Sequence, residues 1–241
     1  LIGEMRFADG RVEVGHTAEG RMVLDVAPIE IGGTADAPTL GPGSVILATG
    51  GVRGVTAATL KAIAAPGARI IALARRAEPE AEPPGLAEAG DAQALRRVLI
   101  AQGRAAGTVP RPQEIETRIE QILRDRAARR GLQDLRAHGF DVEVHAVDLC
   151  DRAATSAVLD AVLARHGRVD ALVHGAGIVE DKLVADKTQV SFDRVLGTKT
   201  RALDLLLTHE AAAGYRHALF FSSIAGRLGN RGQADYGAAN E

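Results

Sequence analysis

Cysteine is all but missing from this chain. The single Cys150 among 241 residues cannot close an internal disulfide, which favours a reducing compartment, and it is expected to be a buried, inert thiol. Long apolar runs are missing too. Nothing approaches the ~20 residues of a membrane-spanning helix, and residues 1–30 lack the basic start and apolar stretch of a secretory signal. A soluble, cytoplasmic protein is the expectation. Charge of one sign is equally scarce, with 29 Lys plus Arg against 31 Asp plus Glu. The formal charge of −2 offers no general attraction to nucleic acid or to an anionic membrane. No internal repeat is present. What remains, 46% hydrophobic residues, is enough for one sizeable core and a small appended segment.

Residues 1–31 alternate short apolar runs with Gly10, Gly15 and Gly20, as in 11–14 and 21–26, and predict short antiparallel strands at the end of a preceding region. A Gly, Pro and Ala-rich linker follows, so 1–42 forms an N-terminal β-rich segment and the main domain spans 43–241. From there apolar runs alternate with longer helical stretches. Strands are placed at 45–49, 69–74, 141–147, 171–174 and 218–222. Such runs, joined by crossover helices, define an α/β fold with a Rossmann-like doubly wound parallel sheet. The connection 76–139 is unusually long and reads as an insertion. It has a helical patch at 92–102 and a helix over 113–137 with Ile115, Ile119, Ile122 and Leu123 on one stripe. The chain begins at Leu1 and stops at Glu241 inside the opening of a helix, so it is expected to be a C-terminally truncated piece of a longer chain.

The first strand of the main domain runs into Thr49-Gly50-Gly51-Val52-Arg53-Gly54-Val55-Thr56 and then a helical run at 57–64. A glycine-rich turn between strand and helix lets backbone approach a pyrophosphate, whose charge is stabilised by free N–H groups at the helix start. The competing explanation is a plain tight turn. The next strand ends in Arg75-Arg76, where a fold selecting NAD would usually carry an acid for the ribose 2′-hydroxyl. Two arginines favour a 2′-phosphate and hence NADPH; the alternative is a pair of solvated charges. Later strands end in Asp148-Leu149 and in His174-Gly175-Ala176-Gly177, with His174 read as structural. Asp148 could instead cap the helix starting near Arg152.

The fifth strand delivers Ser222-Ser223, and Tyr236 and Asn240 follow four residues apart, on one face of a helix. Carbonyl reduction by a nicotinamide needs a proton donor for the developing alkoxide, and a phenol serves only with a cation nearby. The helix over 189–213 carries Lys199 within Gly197-Thr198-Lys199-Thr200. Each residue also has a bland reading, as solvated helix cation, turn hydroxyl, core aromatic or helix polar group.

The glycine turn resembles the Thr-Gly-x-x-x-Gly-x-Gly turn of short-chain dehydrogenases, with Thr56 in place of the final glycine, which puts the closest helix–strand packing in question. In ordinary members of that superfamily a lysine stands where this chain has Asn240. The set Lys199, Ser223, Tyr236 and Asn240 resembles instead the ketoreductase domains of type I polyketide and polyunsaturated fatty-acid synthases, whose lysine comes from the preceding long helix. The stretch Leu99-Ile100-Ala101-Gln102-Gly103 and the helix after it resemble an insertion of the polyunsaturated fatty-acid type.

By that resemblance Tyr236 is the general acid, Ser223 hydrogen-bonds the substrate carbonyl, Lys199 makes the tyrosine a better acid and holds the cofactor ribose, and Asn240 orients Lys199 or a relay water. NADPH would be held by Thr49, Gly50, Gly51, Arg53, Gly54, Val55, Arg75, Arg76, Asp148, Leu149, Gly175, Ala176 and Gly177. Asp181 matches an acid that marks the class forming a D-configured 3-hydroxyacyl product; its bland reading is a solvated loop acid. The implied substrate is a β-ketoacyl chain on the phosphopantetheine arm of an acyl carrier protein, with other domains of the same synthase as partners. Two rivals stay open: a non-catalytic structural domain of a synthase, and a stand-alone reductase of small carbonyl compounds.

Overall fold

The computed structural model describes residues 14–23, 25, 27–30, 40–108 and 110–241. The chain divides into two units, 1–37 and 38–241. In the first, β1 (Val14–Thr17) and β2 (Gly20–Val23) pair antiparallel with Val14 opposite Val23 and Thr17 opposite Gly20. Gly20 has φ +130°, a conformation that L side chains rarely adopt. The run expected at 11–14 meets β1 only at Val14, and the strand expected at 21–26 is seen as Gly20–Val23 in the described residues. Residues 11–13, 24 and 26, and most of the expected linker, lie outside them.

The second unit is built on five parallel strands, β3 (Val45–Thr49), β4 (Arg69–Ala74), β5 (Asp141–Ala146), β6 (Ala171–His174) and β7 (His217–Phe220), in the order β5-β4-β3-β6-β7. Alternate residues of β3 feed two cores. Ile46 and Ala48 pack with Leu60, Ile70, Leu132 and Leu135 on one face. Val45 and Leu47 pack with Ile71, Leu159, Leu172 and Leu206 on the other. Each fully buried Leu or Ile contributes about 1.5–3 kcal/mol, which explains why β3, β4 and β6 read as nearly unbroken apolar runs. Among the described residues β7 is an edge strand of the sheet, and it stops two residues short of the expected 222, although the Phe221 N–H still donates to the His174 carbonyl at 3.1 Å.

The helices are α1 (Gly54–Ile63), α2 (Pro84–Ala87), α3 (Ala92–Ala105), α4 (Pro112–Ala137), α5 (Arg152–His166), α6 (Gln189–Thr208), α7 (Ile224–Leu228) and α8 (Ala234–Asn240). α6 ends before the expected 213, where a tighter turn spans Glu210–Gly214. The insertion 76–139 has a small core of its own, formed by Leu86, Ala89, Leu95, Ile115, Ile119 and Ile122. Leu123, expected on that stripe, is 37% exposed. The second half of α4 turns instead into the main core through Leu132 and Leu135.

A part-buried ion cluster fastens α4. Glu82 accepts from Arg126 Nε and Nη2 and from Arg129 Nη2 at 2.7–3.1 Å, and Arg126 also donates to the carbonyls of Leu86 and Ala89. Arg126, with burial working against it and Arg129 assisting, holds the Glu82 carboxyl down at about 2. Cys150 corrects one expectation: its thiol is exposed, because Asp148 Oδ1 accepts the Cys150 N–H and turns the chain outward after β5. No helix among the described residues is long and apolar enough to cross a membrane.

Candidate active site

β3 is the point where the sheet's strand order reverses, with β4 and β5 on one side and β6 and β7 on the other. The crevice beyond the carboxyl ends of such strands is where a doubly wound fold accepts ligands. Here it is a cleft of about 560 Å3. Its floor includes Gly50, Gly51, Ala176 and Gly177, and one wall includes Asp148 and Leu149. Arg53, Arg75 and Arg76 line it as well.

The glycine turn explains the floor. Gly50, Gly51 and Gly54 have φ of +89°, +98° and +60°. A Cβ on Gly50 would collide with the Gly175 backbone and stand 2.6 Å from Ala176 N, whereas Gly51 and Gly54 face open space. The turn therefore touches the end of β6 at Gly50 and leaves backbone bare beyond it. α1 starts at Arg53 with no side-chain cap and no acid in its first turn. Its free N–H groups and the arginines nearby fit the pyrophosphate and phosphate groups of a dinucleotide.

Thr56, the departure from an all-glycine turn, is buried, and a Cβ on Gly175 would meet its Oγ1 at 2.5 Å. The room that a third glycine would supply comes from Gly175. Close helix–strand packing is retained.

Four residues expected to bind the cofactor do not line the cleft. Thr49 is fully buried; its Oγ1 accepts the Ala176 N–H at 3.2 Å and lies 2.8 Å from His174 Nδ1. It ties β3 to β6. Gly54 and Val55 sit in the first turn of α1, and Gly175 supports the turn from behind. Asp148 is not the cap of α5, since Asp151 accepts the Ala154 N–H in that role. That leaves Asp148 on the cleft wall.

His174 is structural in placement, with no exposure. Burial, then the neighbouring charge of Lys199, lowers its imidazole to about 4. Arg124, Asp125 and Ala128 of α4 also line the cleft, none of them expected from sequence. A Cβ on Gly131 would collide with the Val52 carbonyl, so α4 lies directly against the glycine turn. Arg124, two turns earlier, shares that face. Arg76 is drawn to Asp125 at 3.5 Å, while Arg75 and Arg124 make no hydrogen bond or ion pair among the described residues.

Lys199, Ser223, Tyr236 and Asn240 are not among the residues that line the cleft, which α6 reaches through Thr198; α8 packs on α6 and α7. This brings the helix of Lys199 to that of Tyr236 and Asn240. Lys199 is half-buried, and desolvation lowers its ammonium below the usual lysine range. Ser223 caps α7, its Oγ accepting the Ala225 N–H at 3.2 Å with the hydroxyl hydrogen left to donate. Ser222 Oγ donates to the Asn240 carbonyl at 2.5 Å. Asn240 Nδ2 donates to the Tyr236 carbonyl at 2.7 Å, leaving a buried Oδ1 with no partner. Neither Lys199 Nζ nor the Tyr236 hydroxyl is hydrogen-bonded to another member of the set. Asp181 Oδ1 accepts from Gln233 Nε2 at 2.9 Å.

Parallel sheet, glycine turn and this corner define the short-chain dehydrogenase/reductase fold. Residues 44–241 match the KR domain family, and the chain belongs to it. It is 32% identical over 251 residues to a polyunsaturated fatty acid synthase component of Thraustochytrium sp. (strain ATCC 26185 / S-3), covering all of this chain and 9% of that protein. It is 40% identical over 111 residues to the pikromycin polyketide synthase component PikAII of Streptomyces venezuelae, covering 45% of this chain and 3% of that one. The chain spans less than a tenth of the length of these curated relatives.

Among solved structures, the ketoreductase PlmKR1 from the first module of phoslactomycin biosynthesis in Streptomyces sp. HK803 has TM-score 0.58 and 27% identity over 92% of this chain and 40% of that one. A metagenomic short-chain oxidoreductase in complex with NADP has TM-score 0.54 and 26% identity over 83% and 71%.

Proposed function

We propose that the chain carries the ketoreductase unit of a multifunctional synthase, reducing a β-ketoacyl thioester on an acyl carrier protein to the 3-hydroxyacyl thioester with NADPH. The observation that carries this reading is Asn240. It stands one turn after Tyr236 with a buried, unpartnered Oδ1, at the place where an ordinary reductase has its lysine, while Lys199 stands half-buried on the helix packed against it. An acceptor so placed suits an ammonium or a relay water, and a desolvated ammonium is the cation that a phenolic acid needs.

NADPH supplies the hydride when bound. Gly50, Gly51 and the start of α1 hold its pyrophosphate, Arg75 and Arg124 its 2′-phosphate, and Asp148 its adenine. Ser223 donates a hydrogen bond to the substrate carbonyl, and Tyr236 delivers the proton to the oxygen as charge develops there. Residues 43–241 form this unit, and 1–42 come from a preceding region. Asp181 steers product configuration through its hold on Gln233 beside Tyr236.

With a soluble acetoacetyl thioester, Tyr236→Phe should lower NADPH oxidation at least a thousandfold while NADPH binding and thermal melting stay unchanged. Retained turnover would remove Tyr236 as the acid. Equal turnover of a free small ketone and of a carrier-bound thioester would favour a stand-alone reductase.

A further inference from the structure

Lys187 and Asp235 form a salt bridge at 2.5 Å with side chains only 3% and 1% exposed. Neither residue stands out in the sequence, and they lie 48 positions apart. Asp235 immediately precedes Tyr236, and its other oxygen accepts the Tyr236 backbone N–H at 2.8 Å. Lys187 Nζ also donates to the Glu180 carbonyl at 2.6 Å. Glu180 is itself anchored, accepting from Ser191 Oγ at 2.7 Å and from Arg194 on α6. One buried ammonium thus joins the first turn of α8 to the loop after β6 and, through it, to the start of α6.

A buried ion pair seldom adds much net stability, because desolvation of two charges offsets their attraction. What it does impose is geometry, since either charge left unpaired is costly. The start of α8 takes its geometry from outside, because no side chain caps its first turn. At its far end Ser222 and Gly226 grip Asn240. At its near end the grip is Lys187.

We infer that Lys187 is a positioning residue for proton transfer, holding Asp235 so that α8 presents Tyr236 to the substrate carbonyl. This rests on Tyr236 being the acid, as proposed above. The brace also fixes the loop carrying Asp181, since Lys182 N donates to the Gly232 carbonyl at 3.0 Å beside the Asp181–Gln233 bond.

The test separates placement from folding. Lys187→Met alone strands a buried carboxylate and is expected to destabilise the protein, so the informative variant is Lys187→Met/Asp235→Asn. It removes both charges and leaves an amide oxygen for the Tyr236 N–H. It should melt within a few degrees of the parent and keep its KM for NADPH and for an acetoacetyl thioester, while kcat falls at least tenfold. Lys187→Arg should recover part of the kcat lost in Lys187→Gln.

In single turnovers with Tyr236→Phe as background, the paired substitution should cause no further loss, because a brace for an absent hydroxyl has nothing to align. A paired variant with parental melting and kcat within twofold would overturn the inference. So would additive losses in the Tyr236→Phe background. Full turnover by Tyr236→Phe itself would instead overturn the assignment of the acid.

Discussion

Two helices close the carboxyl edge of the same sheet, and they are held in opposite ways. α4 has 26 residues, a core of its own, the part-buried Glu82 cluster, and a direct seat on the glycine turn at Gly131. α8 has no side-chain cap and is tied by Lys187 at its start and by Ser222 and Gly226 at Asn240. The cofactor side is a wall with a small core of its own. The catalytic side is a lever set by a few polar bonds. Damage to α4 should therefore show first in stability and nucleotide binding, and damage around α8 first in turnover.

The largest expected break is Glu82→Ala. It leaves Arg126 and Arg129, 15% and 24% exposed, without their carboxylate, at a cost of about 1.5–3 kcal/mol. The denaturation midpoint should drop and nucleotide affinity with it; an unchanged midpoint would mean that α4 is held by its apolar contacts alone.

Acid should act on both regions in sequence. His174 has a folded value of about 4 against 6.5 unfolded, so its contribution is full above 6.5 and is lost as pH falls toward 4, at about 3 kcal/mol in all. Glu82, at about 2 against 4.5, contributes fully above 4.5 and loses that contribution as pH falls through 2. Stability measured against pH should decline first between 6.5 and 4, and His174→Gln should flatten that arm while sparing the lower one.

Gly226→Ala would place a methyl 2.8 Å from the Asn240 backbone and push α8 away. A cost of about 1–3 kcal/mol is expected, with kcat reduced more than tenfold and NADPH affinity nearly unchanged. Equal losses in the two would erase the contrast between wall and lever. Smallest is Arg124→Gln, which should weaken NADPH about tenfold, about 1.4 kcal/mol, and leave NADH unaffected by titration. Loss of both cofactors alike would place Arg124 away from the 2′-phosphate.

The strands were legible because burial on both faces leaves an unbroken apolar run, as in Val45–Thr49 and Arg69–Ala74. The glycine turn was legible because only glycine reaches the positive φ at 50, 51 and 54. Other errors have local causes. The Ile115 to Leu123 stripe was extended one residue too far because α4 changes partners midway, from the small core to the main one. Cys150 was expected inside on its residue type, but a turn led by Asp148 faces it outward.

Sequence by itself determined the doubly wound sheet and the place of the glycine turn, because both rest on local periodicity or on short spacing, whereas the set Lys199, Ser223, Tyr236 and Asn240 came from resemblance to a family. Only the tertiary structure decided that Thr49 faces inward, that α4 brings Arg124 to the cleft, and that Lys187 meets Asp235. Those depend on which helix faces meet across the sheet. Contacts between residues 48 apart leave no period in the chain, and they exist only once packing has excluded water from both partners.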